Sequence, residues 1–132
     1  PILLKVSPDL SHQQLDEIIE YCLRSGIDGL VAGNTTRSRD GITSISKEKI
    51  EEIGNGGMSG APLHQKNLEL VKYVHTKSEG KLPIIGVGGI MSPEQAKAML
   101  DAGASLVEIY TGFIYEGPAL VKNIIKHLET TL

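Results

Sequence analysis

Lys5 is the residue whose type and setting point most directly to chemistry, because its charged amine stands within the otherwise apolar run from Ile2 to Val6. An apolar run of this length predicts a strand buried in a core. A buried ammonium is costly unless an anion or a strongly polar group meets it. We therefore expect Lys5 to face a ligand that carries negative charge.

Two consecutive strands end in small residues, a pattern that favours a phosphate site. Gly86-Val87-Gly88-Gly89 ends one strand and Tyr110-Thr111-Gly112 ends the next. Glycine lets a ligand approach the main chain closely, and a helix N-terminus offers N–H groups to an anion. The first motif alone is also explained by a tight strand-to-helix turn. Gly60, which precedes another predicted helix, either meets an anion too or forms a plain capping turn.

Polar side chains follow a further strand. Asn34 and Thr35 offer amide and hydroxyl groups that hydrogen-bond a polar ring or a carboxylate, or else hold a local turn. Glu108 lies inside a strand, where structural pairing within the sheet is favoured over catalysis. No metal-ligand spacing recurs among the histidines, which we interpret as surface or capping residues: His12, His64, His75 and His127.

The composition is that of an ordinary globular domain. The 132 residues are 40% hydrophobic and carry a formal net charge of −3, so we predict one domain spanning residues 1–132. The sequence has no basic stripe, which argues against a nucleic-acid partner. It also has no apolar stretch of roughly 20 residues, so no membrane segment is predicted. Cys22 is the only cysteine and is predicted to be a small apolar residue on a helix face.

Four strand–helix units position these residues. The predicted strands are Ile2–Val6, Gly29–Gly33, Leu82–Val87 and Ser105–Tyr110. Capping boxes and helical apolar spacing predict helices in four places: Ser11 to Gly26, Pro62 to Ser78, Ser92 to Gly103, and from Pro118 onward. The long polar segment 37–60 has a length that is usually functional or mobile.

Repeated strand–helix alternation predicts an α/β fold with a parallel sheet. Four units are half of a (β/α)8 TIM barrel, and a four-stranded open sheet is the alternative. The half-barrel is favoured because the residues described above gather at the carboxyl ends of the strands, where barrels place their sites.

Seven motifs occur in a fixed order along essentially the whole chain: Leu4–Leu10, Asn34–Thr36, Ser59–Leu63, Pro83–Ile90, Ala102–Val107, Ile109–Phe113 and Gly117-Pro118. Each motif is modest, but the ordered set is specific. It resembles the dihydroorotate dehydrogenase family, in the form of the C-terminal half of the quinone-dependent, membrane-associated class.

The resemblance implies an FMN-binding barrel that oxidises dihydroorotate to orotate. It implies that the lysine matching Lys5 contacts the flavin ring, where an ammonium stabilises negative charge on the reduced cofactor. Asn34 and Thr35 match positions that bind the substrate. Gly33 stands where the family commonly has threonine, so only a backbone contact to the flavin is expected there, and Glu108 stands where glutamine is frequent. The remaining FMN-binding positions, chiefly around the phosphate, match Gly60, Gly89, Tyr110 and Thr111.

The resemblance also implies what this chain does not supply. The catalytic base is expected in the N-terminal half of the barrel, so no residue here is assigned that role. The expected partners are the substrate, a quinone, and either the N-terminal half of the barrel or a second chain. The expected location is peripheral, on the cytoplasmic face of the membrane. The alternative is a non-catalytic phosphate- or flavin-binding half-barrel that self-assembles; another phosphate-binding flavin oxidoreductase is disfavoured by Asn34-Thr35.

Overall fold

A computed structural model describes residues 1–40 and 42–131 of the chain. Residue 41, within the predicted polar segment 37–60, and residue 132, the end of the predicted domain, lie outside the described residues. The four strands of the described part form one parallel sheet in the order β1-β2-β3-β4. Their bounds are β1 Leu3–Val6, β2 Gly29–Ala32, β3 Ile84–Val87 and β4 Leu106–Glu108.

The helices predicted after each strand are confirmed, and two shorter helices accompany them within the described ranges. Helices α2 (Lys47–Ile53) and α5 (Thr111–Glu116) are absent from the sequence prediction because, with seven and six residues, they are too short to display a helical apolar repeat. A 3₁₀ turn, Ala61–Leu63, leads directly into α3. The helix bounds are α1 His12–Ser25, α2 Lys47–Ile53, α3 His64–Lys77, α4 Pro93–Asp101, α5 Thr111–Glu116 and α6 Ala119–Thr131.

Serine caps begin α1 and α4 as predicted. At α1 the capping box is complete, because Ser11 Oγ accepts from the Gln14 N–H and the Gln14 side chain accepts from the Ser11 N–H. At α4 only half of the box forms. Ser92 Oγ accepts from the Gln95 N–H, whereas Gln95 Oε1 accepts from the N–H of Met91, one residue before the cap.

The helices that follow the strands cover only one face of the sheet. Helix α1 contacts α3, α3 contacts α4 and α4 contacts α6, so they form a single layer. Right-handed crossovers between successive neighbouring strands place every helix on the same side. This arrangement is half of a (β/α)8 barrel and differs from an open sheet with helices on both faces.

Alternate strand residues point to the two faces of the sheet. The helix-covered face contributes the buried core residues Val6, Leu30, Ala32 and Ile84. The strand register pairs Lys5 with Val31, Ile85 with Leu106, and Val87 with Glu108. The opposite face is open in the described chain and carries Lys5, Val31, Ile85, Leu106 and Glu108.

The prediction of a buried first strand is wrong for all but its last residue. Leu3, Leu4 and Lys5 are exposed, and only Val6 is buried. The reason is that β1 lies at an edge of the sheet and pairs only with β2 among the described strands. The ammonium of Lys5 is therefore solvated in this chain. Its charge would need an anionic partner only if the open face were covered and the side chain lost contact with water.

The predicted apolar stripe of α6 is only partly buried. Leu120 and Ile124 are buried and Leu128 is half-buried, as expected. Val121 and Ile125 are instead 40% and 52% exposed. They lie beside β4, the other sheet edge, where no further described strand or helix covers them.

Candidate functional site

One cleft at the carboxyl ends of the strands brings together all eight residues that the family resemblance assigned to the cofactor or the substrate. Gly86, the first residue of the predicted phosphate motif, lies outside it, against Ala104 and Met99. One of the eight residues lies on strand β1, and three lie in the segment after β2. One precedes the 3₁₀ turn, one lies in the loop after β3, and two lie at the start of α5. The structure places them in one cleft but does not test their roles. In chain order these residues are Lys5, Gly33, Asn34, Thr35, Gly60, Gly89, Tyr110 and Thr111.

Two helical segments begin at this cleft, and neither is capped by a side chain within the described residues. They begin after Gly60 and after Tyr110. In contrast, α1, α2 and α4 begin away from the cleft, and each has a serine whose hydroxyl accepts an N–H of the first turn. In the 3₁₀ turn only Ala61 keeps a free N–H, because Pro62 has none and the Leu63 N–H donates to Gly60 O at 2.9 Å. The first N–H groups of α5 have no partner inside that helix, so the two starts together offer donors to an anion in the cleft.

A direct contact joins these two starts. Thr111 Oγ1 donates a hydrogen bond of 3.1 Å to Ser59 Oγ. Gly60 has a φ of 83°, and a Cβ added there would lie 3.1 Å from Thr111 Cγ2. The glycine thus lets the 3₁₀ turn approach α5 closely. Ser59 was not singled out by the sequence analysis, because its role depends on a contact with a residue far along the chain.

Gly89 has a packing role that the motif alone does not reveal. Its φ is 73°, and a Cβ added there would lie 2.2 Å from the backbone nitrogen of His64. The neighbouring Gly88 is equally confined, because an added Cβ would lie 2.1 Å from Nδ2 of Asn67. These glycines allow the loop after β3 to pack against the beginning of α3. This loop lines the cleft together with Gly60 and Thr111.

Two charged side chains face the cleft without a partner. Neither Lys5 nor Glu108 makes a side-chain hydrogen bond or an ion pair to any of the described residues, and both are exposed on the open face. The predicted structural pairing of Glu108 is therefore not observed. The cleft thus presents one ammonium at β1 and one carboxylate at β4.

Asn34 forms the local turn that was one of its two predicted roles, and it also lies in the cleft. Its Oδ1 accepts the N–H of Thr35 at 3.0 Å, which is a local turn bond. Its own N–H donates to Val6 O at 2.9 Å, which fixes the segment to the end of β1. Both Asn34 and Thr35 nevertheless line the cleft, where their amide and hydroxyl groups can meet a polar ligand.

Gly33 occupies a confined position. A Cβ added there would lie 2.9 Å from Leu70 Cδ2 and 3.1 Å from Val6 O. Its N–H donates to Val87 O at 3.1 Å, so the carbonyl is the backbone group left to meet a ligand. A side chain at position 33 would therefore collide with Leu70 and with the backbone of Val6.

His64 departs from the prediction that all histidines are surface or capping residues. It is half-buried, and its Nδ1 is buried without a hydrogen-bond partner among the described residues. Burial lowers the pKa of His64, which favours the neutral imidazole. His12 and His75 are exposed as expected, and His12 stacks on Tyr73 with ring centroids 4.3 Å apart.

A charged cluster beside the cleft escaped the sequence analysis. Lys66 Nζ lies 2.5 Å from Asp9 Oδ1, although the two residues are 57 positions apart. Burial raises the pKa of Asp9, but hydrogen bonds from Lys66, Thr36 and the Arg37 N–H outweigh it and lower the pKa from 3.8 to about 2. Asp9 therefore remains ionised well into the acid range.

Neither a metal site nor a membrane span is found in the described ranges. Residues 1–40 and 42–131 contain no group of three or more metal-ligating side chains. No helix in the same ranges has the length and apolar character needed to cross a bilayer. Cys22 is buried on α1, as predicted.

The one-sided parallel sheet, with a cleft at the carboxyl ends of its strands, is part of a (β/α)8 barrel. The family profile described as "Dihydroorotate dehydrogenase" matches residues 1–132, and the chain belongs to this family. This match confirms the predicted family, and the solved structures described next confirm the predicted fold class.

This chain is similar to members of the family both in sequence and in structure. "Dihydroorotate dehydrogenase (quinone)" of Salinispora arenicola is 49% identical over 122 residues, 92% of this chain and 36% of that protein. The protein of the same description from Christiangramia forsetii is 51% identical over 94% of this chain and 35% of its own length. The ligand-free DHODH structure from Eimeria tenella has a TM-score of 0.86 at 34% identity, covering 96% of this chain and 34% of that one. The chain thus spans about a third of the length of the curated relatives it matches.

Proposed function

We propose that this chain forms the FMN-binding, C-terminal part of a barrel enzyme that oxidises dihydroorotate to orotate with a quinone as acceptor. The observation that carries the proposal is the pair of uncapped helix starts, at Gly60 and Tyr110, in the same cleft as the unpaired ammonium of Lys5. Family membership supports the reaction class.

The cleft fits the phosphate of FMN. The N–H of Ala61 in the 3₁₀ turn and the N–H groups of the first turn of α5 supply donors for its oxygens. The hydroxyl of Thr111 lies at the same place, 3.1 Å from Ser59 Oγ. Gly60 and Gly89 allow the segments around the cleft to pack closely, against Thr111 and the backbone of His64, and both residues line the cleft.

Lys5 fits the ring end of the cofactor. It stands on the open face of β1, lines the cleft and has no competing partner among the described residues. A fixed ammonium next to the ring would favour negative charge there. FMN, when bound, supplies the acceptor for the hydride of the substrate. The carbonyl of Gly33 is the neighbouring backbone group that would contact the ring.

Asn34 and Thr35 fit the substrate. An amide and a hydroxyl provide both donors and acceptors, which suits a pyrimidine ring with a carboxylate substituent. Proton abstraction from the substrate needs a positioned base. None of the cleft residues of this chain is assigned that role, and we place the base in the part of the barrel that pairs with β1 and β4.

The proposed electron acceptor and the proposed cellular location are both based on the quinone-dependent class to which the curated relatives belong. Curated relatives at 43–51% identity are described as the quinone-dependent enzyme, which supports a quinone as electron acceptor. We extend this to a peripheral position on the cytoplasmic face of the membrane, as expected for that class.

Dihydroorotate-dependent bleaching of flavin absorbance tests the proposal. The protein to use is a joined enzyme, in which the part of the Salinispora arenicola relative that precedes its matched region is followed by this chain. We expect anaerobic dihydroorotate to bleach the flavin absorbance. The variant Asn34→Ala should raise the substrate concentration needed for bleaching without loss of flavin. Flavin that dihydroorotate fails to bleach would contradict the proposed reaction.

Self-association is the second candidate function. Both sheet edges expose apolar residues, among them Leu3 at 36% on β1 and Leu106 at 62% on β4. Two copies that paired β4 with β1 would close an eight-stranded barrel and remove both edges. Sedimentation of the 132-residue chain alone tests this: a stable dimer supports self-assembly, and a species that dimerises only at very high concentration argues against it.

A further inference from the structure

The cluster of Asp9, Thr36 and Lys66, called the Asp9 cluster below, joins three parts of the fold beside the cleft. Thr36 is only 2% exposed, and its Oγ1 donates to Asp9 Oδ1 at 2.5 Å. Lys66 Nζ, on α3, lies 2.5 Å from the same Asp9 oxygen and 3.2 Å from Thr36 Oγ1. The N–H of Arg37 donates to the other oxygen of Asp9 at 2.7 Å. One carboxylate in the turn after β1 thus receives donors from the segment after β2 and from α3.

The segment held by this cluster is the one that carries the proposed substrate contacts. Asn34 and Thr35 line the cleft and immediately precede Thr36. The backbone of Thr36 also exchanges two hydrogen bonds with Met58, of 3.2 and 2.8 Å. Gly57 abuts Thr35, since a Cβ added at Gly57 would lie 2.0 Å from Thr35 Oγ1.

The side chain of Thr36 therefore connects Asn34 and Thr35, which we propose contact the substrate, to the carboxylate of Asp9. Its backbone is paired with one neighbouring segment, while its buried hydroxyl is bound to the carboxylate of Asp9. Charge-assisted hydrogen bonds of this kind are short and about twice as strong as neutral ones. Small displacements of positioned groups cost large factors in enzyme rate or affinity.

We propose that Asp9 is a positioning residue for the substrate, acting through Thr36 on the pair Asn34-Thr35. Lys66 assists by holding the carboxylate of Asp9 in place. This inference rests on the proposed function, because it assigns dihydroorotate binding to Asn34 and Thr35. Retention of FMN, which we assign chiefly to the phosphate contacts at Gly60, Gly89 and Thr111, is not expected to need the Asp9 cluster.

The test compares Asp9→Asn with Asp16→Asn in the joined enzyme. Asp16 is a matched control because it also accepts from a hydroxyl, Tyr73 at 2.7 Å, and from a lysine, Lys77 at 2.9 Å, but on the outer helices. We expect Asp9→Asn to raise KM for dihydroorotate about tenfold, as for loss of a hydrogen bond to a charged group, with FMN content unchanged. Asp16→Asn should leave KM within about twofold of the parent.

A second pair of variants tests the hydrogen bond between Thr36 and Asp9 without removing a charge. Thr36→Val is close in shape but lacks the hydroxyl, and Thr36→Ser retains it. We expect Thr36→Val to raise KM and Thr36→Ser to keep it near the parent value. Equal KM values for Asp9→Asn and Asp16→Asn, or for Thr36→Val and Thr36→Ser, would overturn the inference. A parent enzyme that fails to oxidise dihydroorotate would overturn the proposed function instead.

Discussion

Thr111 Oγ1 donates a 3.1 Å hydrogen bond to Ser59 Oγ, and this contact joins the beginnings of two helical segments at the cleft that have no side-chain cap. These beginnings are distant in sequence, so neither alone forms a phosphate site. Their approach depends on Gly60, whose missing side chain leaves room for Thr111. The proposed FMN site therefore depends on a contact between two strand–helix units.

Thr111→Val is expected to weaken FMN binding by about tenfold in the joined enzyme, since it removes a hydroxyl both from the phosphate site and from Ser59. The measurement is the FMN dissociation constant, obtained from flavin fluorescence on titration. Thr76→Val, at an exposed position on α3 outside the cleft, is the control and should bind FMN as the parent does. Equal constants for the two variants would argue against a phosphate site at α5.

Acid unfolding should report the ionised state of Asp9. Its folded pKa of about 2 lies below the ordinary value of 3.8. Its contribution to stability is thus fully present above about pH 5 and is lost as pH falls through 3.8 towards 2. With a side chain 29% exposed, we expect a contribution of about 1 kcal/mol after allowance for solvent screening.

Urea unfolding of the joined enzyme between pH 6 and 2 provides this measurement. Asp9→Asn should lose stability at pH 6 and show a smaller further loss than the parent on acidification. Lys66→Met, which removes one donor to the carboxylate, should give an intermediate acid dependence. An identical pH dependence in the parent and in Asp9→Asn would exclude the assigned role of the carboxylate in acid stability.

Gly89→Ala should destabilise the protein far more than Gly26→Ala. Both glycines have similar positive φ values, 73° and 77°. A Cβ at Gly26 would meet no atom within 4 Å, whereas one at Gly89 would lie 2.2 Å from His64 N. We expect a loss of about 1 kcal/mol at Gly26 and about 3 kcal/mol or more at Gly89, measured by urea unfolding. Similar losses at both positions would show that the β3 loop does not pack on α3 as described.

Gly33→Ala should cost about 1–3 kcal/mol of stability, because the added methyl meets Leu70 Cδ2 at 2.9 Å. Leu70→Val shortens the side chain that is in the way. The double variant should therefore be more stable than the sum of the two single changes predicts, as for residues in contact. Additive losses in urea unfolding would mean that Leu70 does not limit the size of residue 33.

The main elements were predictable because they are long or strongly patterned. The strand Ile84–Val87 lies between Pro83 and the pair Gly88-Gly89, and α1 begins at a capping box that forms as predicted. Helix α5 was missed because it has six residues and starts directly after a strand end. Periodicity over so short a segment does not distinguish a helix from a loop.

The site was predictable where its residues share a motif, and not where it depends on distant contacts. Gly60 and Thr111 were found from local patterns, but the link through Ser59 spans 52 positions. The pairing of Asp9 with Lys66 spans 57 and has no local signature. The exposure of Lys5 was also missed, because an apolar run does not reveal whether its strand lies at an edge of the sheet.

Retention of FMN by the joined enzyme tests the central claim most directly. We expect the purified parent to carry stoichiometric FMN, measured by absorbance and by mass of the released cofactor. The double variant Lys5→Met, Thr111→Val should lose most of it while remaining folded by circular dichroism. A folded parent that takes up no FMN, or a double variant that retains as much as the parent, would contradict the account of this cleft as a flavin site.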